Sequence, residues 1–452
     1  MSQLRDSIDF GKEDIVSLFR RMLLPTLMGM IFSAVFTITD GIFVGQGVGS
    51  AALAAVNFIS PLSLISMGLG LMAGVGGSVV ASINLAKGKS RLAKINITQA
   101  ATVLSLTLVV ISIVILIFPD VLISLIGCSD TLAPLAKSYV YGFAGFMVCN
   151  GFIMMGGFFV RLGGAPTYAM ICSIAAAVLN ILLDYIFIFP LQMGIFGAGL
   201  ATGIGTTVGC VMMIIFLSND SNKVYFVPVK FSKKSLQLTA RNIGYMCKLG
   251  VSSFLGHLSV ACMLVCGNIV FLREMGDDGV AAYSVIGYIT PLVLTLYNAI
   301  AQAAQPIISY NYGIGDMSRV RKILRLAMGS AVLYSVIPAA LIIIFAPQIA
   351  ALFISPTDPA YALTLYGLPL FTITLLPNAI NIVSTGYFQS VEQARNANIV
   401  TILRGYLFMI GCYATIPLLW GNTGAWLSTP IAEWLSTGVV IVLFLRNRDK
   451  KH

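Results

Sequence analysis

Long apolar runs recur from one end of this chain to the other, and that recurrence restricts the fold more than any other feature. About twelve runs stand between polar or Pro/Gly breaks, each sufficient for a spanning helix of roughly 20 residues. The first six cover 20–46, 53–85, 98–118, 135–160, 166–189 and 194–217. The second six cover 244–271, 280–312, 322–345, 360–390, 396–419 and 424–445. Hydrophobic residues make up 58% of the chain and charged residues only 10%, against roughly 25% charged in a soluble domain. Water-soluble packing cannot hide that much apolar surface, so lipid is the expected solvent. The reading is an all-α integral membrane protein with about twelve transmembrane helices in two pseudo-symmetric six-helix bundles. The longest polar stretch, Ser218–Ile243, separates an N-terminal lobe (1–217) from a C-terminal lobe (244–452), with 218–243 as a cytoplasmic linker.

Basic residues orient the spans. Of the 27 lysines and arginines, all but Lys137 and Arg273 lie on or nearest one side, in the loops around Lys87–Lys94, Arg161, Lys223–Lys248, Arg319–Arg325 and Arg395, and in both termini. Such an asymmetry puts both termini in the cytoplasm and requires an even number of spans. The net charge of +10 is therefore a topology signal, and no nucleic-acid partner is expected. Met1–Asp14 is mixed-charge and polar, without signal-peptide form. Prolines inside several spans (Pro25, Pro61, Pro291, Pro306, Pro369 and Pro377) predict bends, either as gating hinges or as kinks that fit the packing.

The two halves resemble one another. Gly49–Pro61 aligns with Gly279–Pro291, Ser90–Ile95 with Ser318–Ile323, and Pro190–Leu200 with Pro417–Leu427. An even number of spans per half gives parallel repeats related by an axis along the membrane normal. Two such bundles around a central cavity are an alternating-access layout, so transport is the expected function class.

Ionisable groups within spans are costly and carry a functional hypothesis by default. Three acids clearly sit there: Asp40, Asp184 and Glu433. Asp40 lies six residues before Gln46 and Asp184 six before Pro190, each near the outer end of its run, at a shared depth of roughly 9 Å. Asn180 is one turn from Asp184 on the same helix face, and Thr202 is at a similar depth in the next span. These four predict one polar cluster that loads a proton or holds a sodium ion through oxygen ligands; the alternative is a structural hydrogen-bond network. Two adjacent carboxylates in low dielectric do not readily hold two negative charges. At the repeat offset Asp184 falls on Gly411 and Asn180 on Leu407, so this chemistry belongs to one half. Arg404 and Glu433 lie at matching depths and read as a structural ion pair. His257 reads as a packing residue. Tyr139, Tyr141, Phe158, Tyr283, Tyr288 and Tyr297 either line an adaptable cargo surface or face lipid and neighbouring helices.

No phosphate-binding loop and no HExxH occurs, so neither ATP coupling within the chain nor an enzyme is expected. Two histidines and eight cysteines without CxxC spacing predict no metal site and no cofactor beyond an ion gradient.

Over nearly its whole length the chain resembles the multidrug and toxic compound extrusion (MATE) family, in its DinF/MepA-like branch. The resemblance rests on Pro25, Thr39-Asp40-Gly-Ile-Phe-Val-Gly45, Gly49-Ser-Ala-Ala-Leu-Ala-Ala, Asn180-Ile-Leu-Leu-Asp184 and Gly194-Ile-Phe-Gly-Ala-Gly-Leu-Ala-Thr202-Gly. It implies a bacterial inner-membrane antiporter exporting small amphipathic, mostly cationic organic substrates, with a monomer as the working unit. It further implies Asp40, Asn180, Asp184 and Thr202 as the cation-coupling site and Pro25 as the position where the first helix bends. The acids that the NorM-like branch carries in helices seven and eight are missing: His257 stands in helix seven, and Gln302 and Gln305 in helix eight. That departure favours proton coupling through the N-terminal lobe over sodium. A lipid-linked sugar or peptidoglycan-precursor flippase is the rival reading, disfavoured because Arg404 is the single deep basic residue.

Overall fold

The computed structural model of the chain describes residues 8–126, 128, 131–229 and 232–449. Arg5, Lys230, Lys450 and Lys451, four of the basic residues used to orient the spans, lie outside the described residues. Helices dominate in chain order: α1 (Ile15–Gly47), α2 (Ser50–Ala86), α3 (Ser90–Ile117), α4 (Pro119–Ile126), α5 (Ala133–Phe143), α6 (Met147–Leu162), α7 (Pro166–Ile188) and α8 (Gly194–Ser218). There follow α9 (Lys233–Ile314), α10 (Met317–Ile344), α11 (Ala346–Phe353), α12 (Pro359–Thr372), α13 (Leu375–Ser390), α14 (Ala394–Ile402) and α15 (Phe408–Asp449). No strand occurs among the described residues. In hydrocarbon every backbone amide must be satisfied within its own segment, and helices meet that demand.

Nine helical stretches among the described residues are long and apolar enough to cross a membrane, and α12 with α13, bent by 44° at their junction, make a tenth. Two of the ten cross twice. At ~1.5 Å per residue a straight α9 would be several times longer than a bilayer is thick. It consists of two helices joined at Gly276 (φ 64°, ψ −156°). The α15 helix is likewise broken at Gly421 (φ 51°, ψ −132°). Both backbone conformations lie where side chains with a Cβ are strained. Counting each glycine-broken stretch as two gives the twelve crossings.

Two features depart from the sequence reading. Helix α9 starts at Lys233, inside the stretch read as linker, with Ser232 capping it by accepting from the Ser235 amide at 3.2 Å. The short helices α4 and α11 occupy equivalent connections in the two halves. A proline at or near the start of each supplies the φ that a first helical turn needs.

The described residues form two compact units. The first runs to Phe254 and includes Ser309–Asp316, although residues 244–254 and that segment both follow the polar stretch. Hydrogen bonds account for the assignment. Gln99 Nε2 donates to Thr239 Oγ1 (2.8 Å), and Asn242 Nδ2 donates to Gln99 Oε1 (3.1 Å). Asn311 Nδ2 donates to the Phe10 carbonyl (3.0 Å), and Phe10 packs on Tyr310. In this unit α7 packs on α1 and α8. Val44, Ala55, Ile59, Tyr139, Phe143 and Ile188 belong to a buried apolar cluster beside these helices. The second unit packs α10 against α13 and buries Phe271 between Tyr283 (centroids 4.5 Å) and Trp426 (4.7 Å).

The contact between α7 and α8 depends on Gly205, where an added Cβ would stand 2.8 Å from Asn180 Cβ and 2.9 Å from the Ala176 carbonyl. Gly205→Val should lower the melting temperature of the detergent-purified protein by a loss of about 1–3 kcal/mol, the usual cost of overpacking. Gly145→Ala, with open space around it, should leave melting unchanged within about 0.5 kcal/mol; differential scanning fluorimetry checks both.

Candidate functional site

Four elements of the first unit converge on one buried polar cluster. Helix α1 carries Asp40, α7 carries Asn180 and Asp184, α8 carries Thr202, and α5 carries Tyr139. Asn180 and Asp184 share a face because four residues are close to one helical turn. Thr202 reaches them because the chain reverses tightly between α7 and α8. There the Leu191 amide donates to the Ile186 carbonyl (3.0 Å) and the Met193 amide to the Phe187 carbonyl (2.8 Å). Gln192 (φ 50°) and Gly194 (φ 60°) take the left-handed conformation that this turn requires. Asn180 Nδ2 then donates to Thr202 Oγ1 at 3.3 Å.

The carboxyl groups of Asp40 and Asp184 lie within hydrogen-bonding reach of one another. Asp184 is fully buried and Asn180 is 2% exposed. Asp40 Oδ1, both Asp184 carboxyl oxygens and Asn180 Oδ1 are buried and accept no hydrogen bond from the described residues. These observations are compatible through protonation. Two carboxylates have no hydrogen to share, whereas one added proton lets either donate to the other. A buried oxygen without a donor is costly. The cluster therefore suits a proton or a small oxygen-liganded cation.

Tyr139 was offered by the sequence as an aromatic cargo contact. Its hydroxyl lies beside Thr202 and within the field of both carboxylates. Counting along the runs would have found it: Tyr139 stands four residues from the start of 135–160, Asp40 six from the end of 20–46 and Asp184 five from the end of 166–189. Of the other aromatic candidates, Phe158, Tyr283 and Tyr297 are buried, whereas Tyr141 and Tyr288 are 48% and 63% exposed. Pro25 sits within an unbroken α1, where Thr26 Oγ1 donates to the Met22 carbonyl at 2.7 Å.

The second unit has its own buried polar cluster. Arg404 Nε donates to both Glu433 oxygens (2.7 and 2.9 Å), and Arg404 Nη2 donates to Asn378 Oδ1 (3.0 Å). Asn381 Nδ2 donates to Glu433 Oε2 (2.8 Å), and Thr437 Oγ1 donates to Asn381 Oδ1 (3.1 Å). Glu433 is 2% exposed. Arg404 lies in a π-helical turn, Leu403–Leu407, between α14 and α15. Such a turn inserts a residue and re-aims the side chains it carries. His257 Nε2 is buried with no partner among the described residues. No group of three or more metal-ligating side chains occurs among the described residues.

With this geometry in place, the family model MatE matches residues 25–186 and again 254–414. The chain belongs to the MatE family. Its two matched segments correspond to the internal repeat. Among known proteins, this MatE chain is 27% identical over 445 residues to Multidrug export protein MepA of Staphylococcus aureus (strain NCTC 8325 / PS 47), covering 97% of this chain and 96% of that protein. It is 26% identical to the MepA of Staphylococcus haemolyticus (strain JCSC1435), covering 96% and 95%. Among solved structures it is similar to an outward-facing multidrug resistance MATE family transporter of the MOP superfamily, with TM-score 0.86, 25% identity and coverage of 99% and 97%. A mutant of the Vibrio cholerae MATE transporter VcmN shares the fold at TM-score 0.88, 19% identity and coverage of 96% and 97%.

In this MatE protein the Arg404–Glu433 pair should behave as a unit. Arg404→Met leaves a buried carboxylate unpaired and should cost about 3–5 kcal/mol. The double variant Arg404→Met/Glu433→Gln should recover most of that loss. Thermal unfolding of the single and double variants in detergent provides the measurement.

Proposed function

We propose that this MatE chain is an efflux antiporter, exporting small amphipathic organic cations across the bacterial inner membrane in exchange for protons. The observation that carries this reading is the pair of buried carboxyl groups, Asp40 and Asp184, within reach of each other and short of hydrogen-bond donors. Relatives at 27% identity over nearly the full length carry the name Multidrug export protein, which supports the export direction and a broad cargo class. The working unit is a monomer, both termini are cytoplasmic, and the ion gradient is the energy source, with no cofactor.

The coupling is electrostatic. A proton entering from outside is held between Asp40 and Asp184, while Asn180 and Thr202 fix the geometry of the acceptor oxygens. Once loaded, the site is neutral at one carboxyl and attracts a cationic cargo weakly. Once unloaded, it carries uncompensated negative charge in low dielectric and favours a cation strongly. Proton and cargo thus oppose each other through one free energy, and the opposition is reciprocal. An inward proton gradient then drives outward cargo movement. Sodium is the second reading, favoured by the oxygen-only character of Asp40, Asn180, Asp184 and Thr202.

Asp184→Asn should abolish dye export from proteoliposomes while the protein stays folded and inserted; wild-type rates from that variant would end the coupling assignment. Asp40→Asn should slow export and flatten its dependence on external pH. For the wild type, export should rise as external pH falls. An imposed sodium gradient at equal pH on both sides distinguishes the ions: no export is expected if protons couple.

A further inference from the structure

The second unit holds a cavity to which neither the repeat nor the carboxylate pair assigns a role. We infer that it is a binding site for one small monovalent anion, chloride in the cell. Its volume is about 10 Å³, room for about one water-sized species. The polar lining consists of Thr290, Tyr297, Thr374 and Asn378, with Met263 and Phe371 among the apolar walls. Thr290 is 5% exposed and Thr374 1%, and the hydroxyl oxygen of each is buried without a hydrogen-bond partner among the described residues, whereas the fully buried Tyr297 has Ser335 beside its hydroxyl. Two unpaired hydroxyls on one water-sized cavity are too costly to be incidental.

The sign of the ligand follows from what each group can offer. The Asn378 carbonyl oxygen already accepts from Arg404 Nη2, so its amide nitrogen is the end left to donate. Each hydroxyl can donate. No carboxylate lines the cavity. Thr374, Leu375 and Asn378 belong to the N-cap and opening turns of the 16-residue helix α13. The one opposing charge is Glu433, whose field reaches Tyr297. Both of its oxygens are bound by Arg404 and one also by Asn381, so its charge is met locally. Donor groups with no carboxylate among the lining residues favour an anion; a cation would meet the amide nitrogen of Asn378.

Crystals of the full-length protein grown with sodium bromide in place of chloride test this directly. Anomalous density for bromide is expected within hydrogen-bonding distance of Thr374 Oγ1 and Asn378 Nδ2. The melting temperature of the wild type should rise by about 2–4 °C in sodium chloride relative to sodium gluconate of equal ionic strength. That rise should disappear in Thr374→Val, which removes a donor at constant volume, and in Asn378→Asp, which adds negative charge. Asp184→Asn should leave the bromide density in place, which separates this site from the carboxylate pair. Absence of bromide density in the wild type overturns the inference, as does rubidium density at the same position or equal melting in chloride and gluconate. If the variants fail to fold, the wild-type density and melting still decide.

Discussion

Hydrocarbon offers no hydrogen bonds, and every part of this structure answers to that shortage. The backbone meets it by becoming helix throughout the spans. Side chains meet it by bonding back to their own helix, as Thr26, Thr364 and Ser428 do through carbonyls four residues earlier. Against this background the oxygens of Asp40, Asn180 and Asp184 stand out, because they are buried among themselves without donors. Such groups persist when something outside the chain supplies the missing partner in at least one state. In the function proposed above, a transported ion is such a partner.

The two halves solve the same problem differently. In the first unit the two buried ionisable groups are both acidic and adjacent. In the second, Arg404 supplies the positive charge permanently, and Asn378 and Asn381 complete its hydrogen bonding. One cluster therefore pairs like groups and the other pairs opposite charges. Duplication supplied two similar frames, and divergence at positions such as Asp184 and Gly411 gave them different electrostatics. A π-helical turn at Leu403–Leu407 accompanies the balanced pair, since regular α-helix geometry is altered where Arg404 turns toward Glu433.

Much of this was legible from the chain alone because the membrane leaves few solutions. Apolar length gave the number of crossings even where α9 and α15 run on through glycine breaks. Equal depth brought Asp40 and Asp184 into the same layer, and a four-residue spacing put Asn180 on the face of Asp184. Tyr139 was within reach of the same counting but read as one aromatic among several. The short helices α4 and α11 were missed because eight-residue segments carry too little periodicity to separate from loop. The early start of α9 was missed because its first turns are polar; they are held by Gln99 contacts that no local pattern announces.

Sequence by itself determined the solvent, the crossings, the internal repeat and the position of each buried charge along its helix, because these depend on composition and on a fixed rise per residue. Rotation about each helix axis is different: it depends on how neighbouring helices pack, so tertiary structure alone decided which groups at one depth meet. It joined Asn180 to Thr202 across the α7–α8 turn, and it gathered Thr290, Tyr297, Thr374 and Asn378 around one cavity from helices far apart in the chain. Depth is a one-dimensional property that a chain can encode locally, whereas contact between faces arises only when helices are packed together.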